Sequence, residues 1–161
     1  MPVAKPDTAS LIQAMTPELY AIAKDLFIAY QQYLNVDLCF QSFEAELNDL
    51  PAMYGPPRGA LLLAFYKQDI AGCVALRTKA DGICEMKRLY VLPAFQGKGI
   101  GKQLASAIVA AGRQLGYTKM VLDTLGRLQP AIQLYEQLGF HRCAPYYHNP
   151  LEGVVFMEKA L

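Results

Sequence analysis

Residues 85–101 read Glu-Met-Lys-Arg-Leu-Tyr-Val-Leu-Pro-Ala-Phe-Gln-Gly-Lys-Gly-Ile-Gly. An apolar strand runs into Pro93, and a short glycine loop then opens directly onto a helical pattern. No other stretch constrains the fold as much, because a strand followed at once by bare backbone and a helix start must set the helix N-terminus at the strand's carboxyl end. Gly97, Gly99 and Gly101 let backbone N–H groups approach an anion, and the positive end of the helix dipole faces the same point. A phosphate-bearing ligand is expected there.

Spacing tests which phosphate loop this is. A Walker loop needs Gly, four residues, then Gly-Lys-Ser/Thr. Here Gly101-Lys102 is followed by Gln103, and Gln96 stands at the first glycine position. A dinucleotide fingerprint needs Gly-x-Gly-x-x-Gly/Ala. Counting from Gly97 puts Lys102 at its last position, and counting from Gly99 puts Leu104 there. Both patterns fail.

Gln/Arg-x-x-Gly-x-Gly/Ala does fit, through Gln96, Gly99 and Gly101, behind a strand ending Arg88-Leu89-Tyr90-Val91 and Pro93. This resembles the acetyl-CoA loop of the GNAT N-acetyltransferase superfamily. Ala131-Ile132-Gln133-Leu134-Tyr135-Glu136-Gln137-Leu138-Gly139-Phe140 resembles the second signature of that superfamily, a short helix carrying a tyrosine and closed by Gly-Phe. The resemblance spans roughly residues 58–161, and the first third of the chain shows only the expected helical pattern.

The resemblance implies a fold in which the fourth and fifth strands splay apart around pantetheine. Leu89, Tyr90 and Val91 would offer it their backbone groups. Gln96, Gly97, Lys98, Gly99, Ile100, Gly101 and Lys102 would hold the pyrophosphate, although for Lys98 and Lys102 individually a solvated lysine at a helix start is the more ordinary reading. It implies direct attack of an amine on the thioester of acetyl-CoA as co-substrate, with no metal. Tyr135 matches the tyrosine that faces the CoA sulfur and is the candidate general acid; without the motif it would read as core packing beside Ile132 and Leu138. Glu85 resembles the base position of many relatives, and burial would raise its pKa. It could instead face solvent beside Lys87 or bind the substrate cation, with Asp123 in reserve. Where many relatives carry a cofactor-binding asparagine this chain has Leu128, with Gln129 the nearest substitute.

The 161 residues suit one domain spanning 1–161. Fifteen basic and 14 acidic residues give a net charge of +1, so no global field favours nucleic acid or an anionic membrane. Cys39, Cys73, Cys84 and Cys143 show no Cys-x-x-Cys spacing and fit reduced, buried small hydrophobes, hence a cytoplasmic location. His141 and His148 have no metal spacing and read as structural or surface residues. The longest apolar run, 60–66, is too short to span a bilayer.

The pattern predicts a strand over 9–15, a helix over about 17–34 started by Thr16-Pro17-Glu18, and a second helix around Phe43, Leu47 and Leu50 that Pro51 ends. A loop over 51–59 would then bound the substrate side or merely connect. Strands follow over 59–67, 70–77 and 83–92 as an antiparallel meander, then a helix over 99–114, a strand over 119–124, a helix from Pro130 to Gly139, and strands over 141–146 and 153–158. The expected fold class is α/β (α+β): a single GNAT-like domain with a mixed, mostly antiparallel sheet of about seven strands and flanking helices, in the order βαα-βββ-αβ-αββ. Exposed C-terminal edge strands leave a homodimer open. The expected function is acetyl transfer from acetyl-CoA to a primary amine, and the alternative is a non-catalytic acyl-CoA-binding module on the same fold.

Overall fold

The structure is a computed structural model that describes residues 8–161. Its first helix forms where the capping signals fall. Thr16 is extended and its hydroxyl accepts from the Leu19 N–H at 3.3 Å, Pro17 occupies the first turn, and Asn35 in the left-handed region closes α1 (Pro17–Leu34). Ala23, Leu26, Phe27 and Leu34 make its buried face. A short 3-10 turn, Cys39–Gln41, follows.

The next segment corrects the sequence reading. Pro51 does not end the helix α2 (Phe43–Asn48); it starts another, α3 (Leu50–Tyr54). Asp49 separates the two with a non-helical backbone (φ −150°, ψ 70°), and its carboxylate caps the Ala52 N–H at 3.2 Å, which leaves proline in the first turn where its missing N–H costs nothing. The expected loop over 51–59 is therefore partly helical, and the element order gains one helix.

Seven strands make one mixed sheet in the order β1-β2-β3-β4-β5-β7-β6: β1 (Ser10–Gln13), β2 (Ala60–Tyr66), β3 (Asp69–Ala80), β4 (Ile83–Val91), β5 (Lys119–Leu125), β6 (His141–Arg142) and β7 (Val154–Ala160). All neighbours are antiparallel except β4 and β5, which are joined by the crossover helix α4 (Ile100–Gln114). β6 stops at Arg142, short of the expected end at Tyr146. Pro145 and Pro150 deprive the next stretch of donors, so it leaves the sheet and runs over its face.

Alternation along the strands divides the core in two. Cys84 and Met86 of β4, with Met120 and Leu122 of β5, pack against Leu104, Ile108, Ile132 and Tyr135 of α4 and α5 (Gln129–Gln137). Leu61, Leu63, Cys73 and Ala75 pack on the other face against α1, α2 and α3. Cys73 and Cys84 are buried as expected, whereas Cys39 is exposed; all four cysteines are free. His141 lies on the surface, 3.4 Å from Glu158. Among the described residues no helix is long and apolar enough to cross a membrane.

Candidate active site

β4 and β5 pair in parallel at only three positions, Ile83 with Lys119, Cys84 with Met120 and Glu85 with Val121. Beyond Glu85 the two strands diverge. The cause is visible in β4, where a bulge at Arg88, in the left-handed region with φ 60°, inserts an extra residue opposite Cys73–Ala75 of β3. The bulge also turns Arg88 toward α2, where its guanidinium donates to both oxygens of Glu46 at 2.9 Å and stacks 5.1 Å from the centre of the Phe43 ring. Past the bulge, β4 is held close to β3 by Gly72, at which a Cβ would come within 2.4 Å of the Tyr90 carbonyl oxygen. The opening between β4 and β5 is thus set by a bulge on one side and a close backbone approach on the other.

A cleft of about 370 Å³ occupies that opening, walled by Leu89, Tyr90 and Val91 of β4, the loop residues Gln96, Gly97 and Gly99, the start of α4 at Ile100 and Gly101, and Leu128, Pro130, Ala131, Leu134 and Tyr135 from α5 and its approach. The first turn of α4 has no side-chain cap, and its first backbone bond is donated by Gln103 to Gly99 at 3.1 Å. The N–H groups of residues 100–102 have no hydrogen-bond acceptor among the described residues. Gly97 and Gly99 are left-handed, with φ 80° and 77°. Gly101 is not, and a Cβ there would sit 3.8 Å from Leu134 and Val91, in ordinary contact. The protein has room for a side chain at Gly101, and leaving it out keeps the cleft open.

A second, smaller pocket of about 50 Å³ adjoins the cleft on the α1 side, with Gln41, Lys87, Asp123 and Asn149 among its polar lining. The two share Tyr30, Leu89, Thr124 and Tyr135. Tyr135 is 7% exposed, packs edge-to-face on Phe140 with ring centres 5.9 Å apart, and stands at the junction. Burial, with lesser contributions from Tyr30 and Asp123, raises its phenol well above the usual value, so it is protonated at neutral pH.

Glu85 is only 1% exposed and does not face solvent, but it lies beneath the small pocket rather than in its wall. Arg77 donates to one oxygen at 2.8 Å and Tyr146 to the other at 2.5 Å, with Lys87 4.0 Å away. Burial pushes the carboxyl up, yet Lys87 and Arg77, with the hydrogen bonds from Tyr146 and Arg77, outweigh it and hold Glu85 below its ordinary value. The rise expected from burial alone is absent. Asp123, at the diverging end of β5, does line the pocket. Tyr147 and Asn149 both donate to its Oδ2.

The chain matches the model of the acetyltransferase (GNAT) family over residues 17–140. It belongs to that family. An uncharacterised N-acetyltransferase of Schizosaccharomyces pombe is 42% identical over 156 residues, 96% of each chain. One of Dictyostelium discoideum is 30% identical over 86% of this chain and 93% of its own. Among solved structures, a GNAT family acetyltransferase of Elizabethkingia anophelis with acetyl-CoA bound superposes with a TM-score of 0.68 over 96% of this chain and 99% of that one, at 23% identity.

In this GNAT acetyltransferase the structure gathers most of the residues singled out from the sequence. Leu89, Tyr90, Val91, Gln96, Gly97, Gly99, Ile100, Gly101 and Tyr135 share one cleft. Lys98 and Lys102 do not line it, and the Lys98 ammonium rests 5.2 Å over the Tyr66 ring instead. The Gln96 side chain bonds the Val91 carbonyl at 3.0 Å and braces the loop on β4. Leu128 is an apolar part of the wall, and Gln129 does not replace the missing asparagine, because its amide donates to the Gly126 carbonyl at 2.5 Å.

The polar network of the small pocket escaped the sequence reading. Lys87 donates to Gln41 Oε1 at 3.3 Å, the Gln41 amide donates to the Tyr147 hydroxyl at 2.9 Å, and that hydroxyl donates to Asp123. Gln41 comes from the 3-10 turn and Tyr146, Tyr147 and Asn149 from the stretch that leaves the sheet after β6. The sequence signal for Tyr146, Tyr147 and Asn149 was the Pro145–Pro150 bracket around polar and aromatic residues, and Gln41 had none.

Proposed function

We propose that this protein transfers the acetyl group of acetyl-CoA to an amine, with Tyr135 as general acid and Asp123, in place of Glu85, as the group that receives the amine's proton. The observation that carries the reading is the meeting of two pockets at Tyr135. The larger suits the pantetheine arm and pyrophosphate, through the unpaired edge of β4 and the N–H groups at the start of α4. The smaller is left for the acceptor. An acetyl group at their junction would lie beside a protonated phenol.

An ammonium acceptor must lose a proton before attack and another after it. The amine nitrogen bonds the thioester carbonyl carbon, the carbon–sulfur bond breaks, and the leaving thiolate takes a proton from Tyr135. Asp123 Oδ1, to which no side chain donates among the described residues, takes the ammonium's first proton and passes it to solvent, and the second, lost from nitrogen as the carbon–sulfur bond breaks, goes to Tyr135 and restores its phenol. Glu85, with its oxygens taken by Arg77 and Tyr146, is left to hold those two side chains in place. The test is thiol release from acetyl-CoA across a panel of primary amines, with the amide product identified by mass. Release that follows the amine supports the reading. Release that does not change with any amine would end it.

A further inference from the structure

Two buried cations, Lys87 and Arg88, two buried carboxylates, Glu46 and Glu85, and the half-buried Arg77 lie together on the α1 side of β3 and β4. Arg77 pairs with Glu85 at 2.8 Å and Arg88 with Glu46 at 2.9 Å, which commits both carboxylates to guanidinium groups. Lys87 is the surplus charge. Its side chain is 5% exposed, its hydrogen bond is to the neutral oxygen of Gln41 at 3.3 Å, and its nearest carboxylate oxygen, Glu85 Oε1 at 4.0 Å, is already held by Arg77. An ammonium buried this deeply without its own counter-ion is costly unless something of opposite charge joins it.

Lys87 lines the small pocket, and so does Asp123, on the neighbouring strand across the opening. Gln41 and Tyr147, both neutral, connect them. The pocket therefore presents a positive group on one wall and a negative group on the other. Resting on the acetyl-transfer reading above, we propose that the acceptor is an amino acid or another amine bearing a single carboxylate. The acceptor's carboxylate pairs with Lys87 while its amino group meets Asp123 and faces Tyr135. One uncompensated cation matches a carboxylate better than a phosphate dianion. A simple alkylamine would leave Lys87 unpaired, and a diamine would add a repelling charge.

The test compares acceptors in pairs that differ only in carboxylate against carboxamide, glycine with glycinamide and alanine with alaninamide, by thiol release from acetyl-CoA. The wild-type protein is expected to favour the carboxylate member, and Lys87→Met to abolish the preference through a roughly tenfold to hundredfold rise in KM for that member, the scale of one charged hydrogen bond. Lys87→Arg should retain part of it. A second readout needs no variant: N-acetylglycine should raise the wild-type melting temperature more than N-acetylglycinamide does. Equal use of both members by the wild type, or a preference that survives in Lys87→Met, overturns the inference and leaves acetyl transfer standing. Failure of every amine, carboxamides included, overturns the acetyl-transfer reading and this one with it.

Discussion

Lys87 and Arg88 are adjacent on β4 and meet burial in opposite ways. Arg88 has a bidentate partner in Glu46, so Glu46→Ala should destabilise the protein by about 3–5 kcal/mol, because it strands a buried guanidinium; denaturant unfolding would measure it. Lys87 has no such partner, and burial, with repulsion from Arg88, lowers it from 10.5 to about 8. Lys87→Met should therefore be more stable than the wild type at pH 7, by about 1–3 kcal/mol. Below pH 8 folded and unfolded lysine are both charged and the penalty is complete. Between about 8 and 10.5 the unfolded chain binds the extra proton, so wild-type stability gains on the variant as pH rises and the difference between them narrows. A gap that widened with pH would mean Lys87 is better solvated than its surroundings indicate. A variant that gains stability while losing acceptor preference is the trade expected of a binding residue.

At the scale of elements, the segment 85–101 was legible because its glycine spacing, proline and strand alternation are local facts, and the two signatures lie where α4 and α5 form. The α2–α3 break was misread because Asp49, which caps Ala52, turns Pro51 from a terminator into a helix start. Glu85 was legible as a buried acid on β4, but its partners were not: Arg77 is set by register on β3, and Tyr146 by a stretch whose path depends on the rest of the sheet. Asp123 and Gln41 belong together only because β4 and β5 diverge beside the 3-10 turn. The cleft-forming role of α4's first turn predicts that Gly101→Leu weakens acetyl-CoA binding by tenfold or more while thermal stability holds or rises, since leucine improves helix propensity by about 0.5–1 kcal/mol and a Cβ clashes with nothing there. Calorimetric titration and a melting curve on the same sample measure both; undiminished affinity would place the ligand elsewhere.

The molecule as a whole is a sheet that opens where its one parallel pair stops, with a larger pocket entering from the α4–α5 side, a smaller one from the α1 side, and Tyr135 where they meet. Helices on both faces hold the strands; the bulge at Arg88 and the close approach at Gly72 decide where they part. The proposed acetyl transfer depends on that junction, so its sharpest test is kinetic. Thiol release by Tyr135→Phe, measured beside acetyl-CoA affinity across pH, should show kcat lowered by about 10²–10⁴-fold with affinity unchanged. A Tyr135→Phe protein that turns over at the wild-type rate with the wild-type pH profile would contradict the role of Tyr135 and with it the account of the junction.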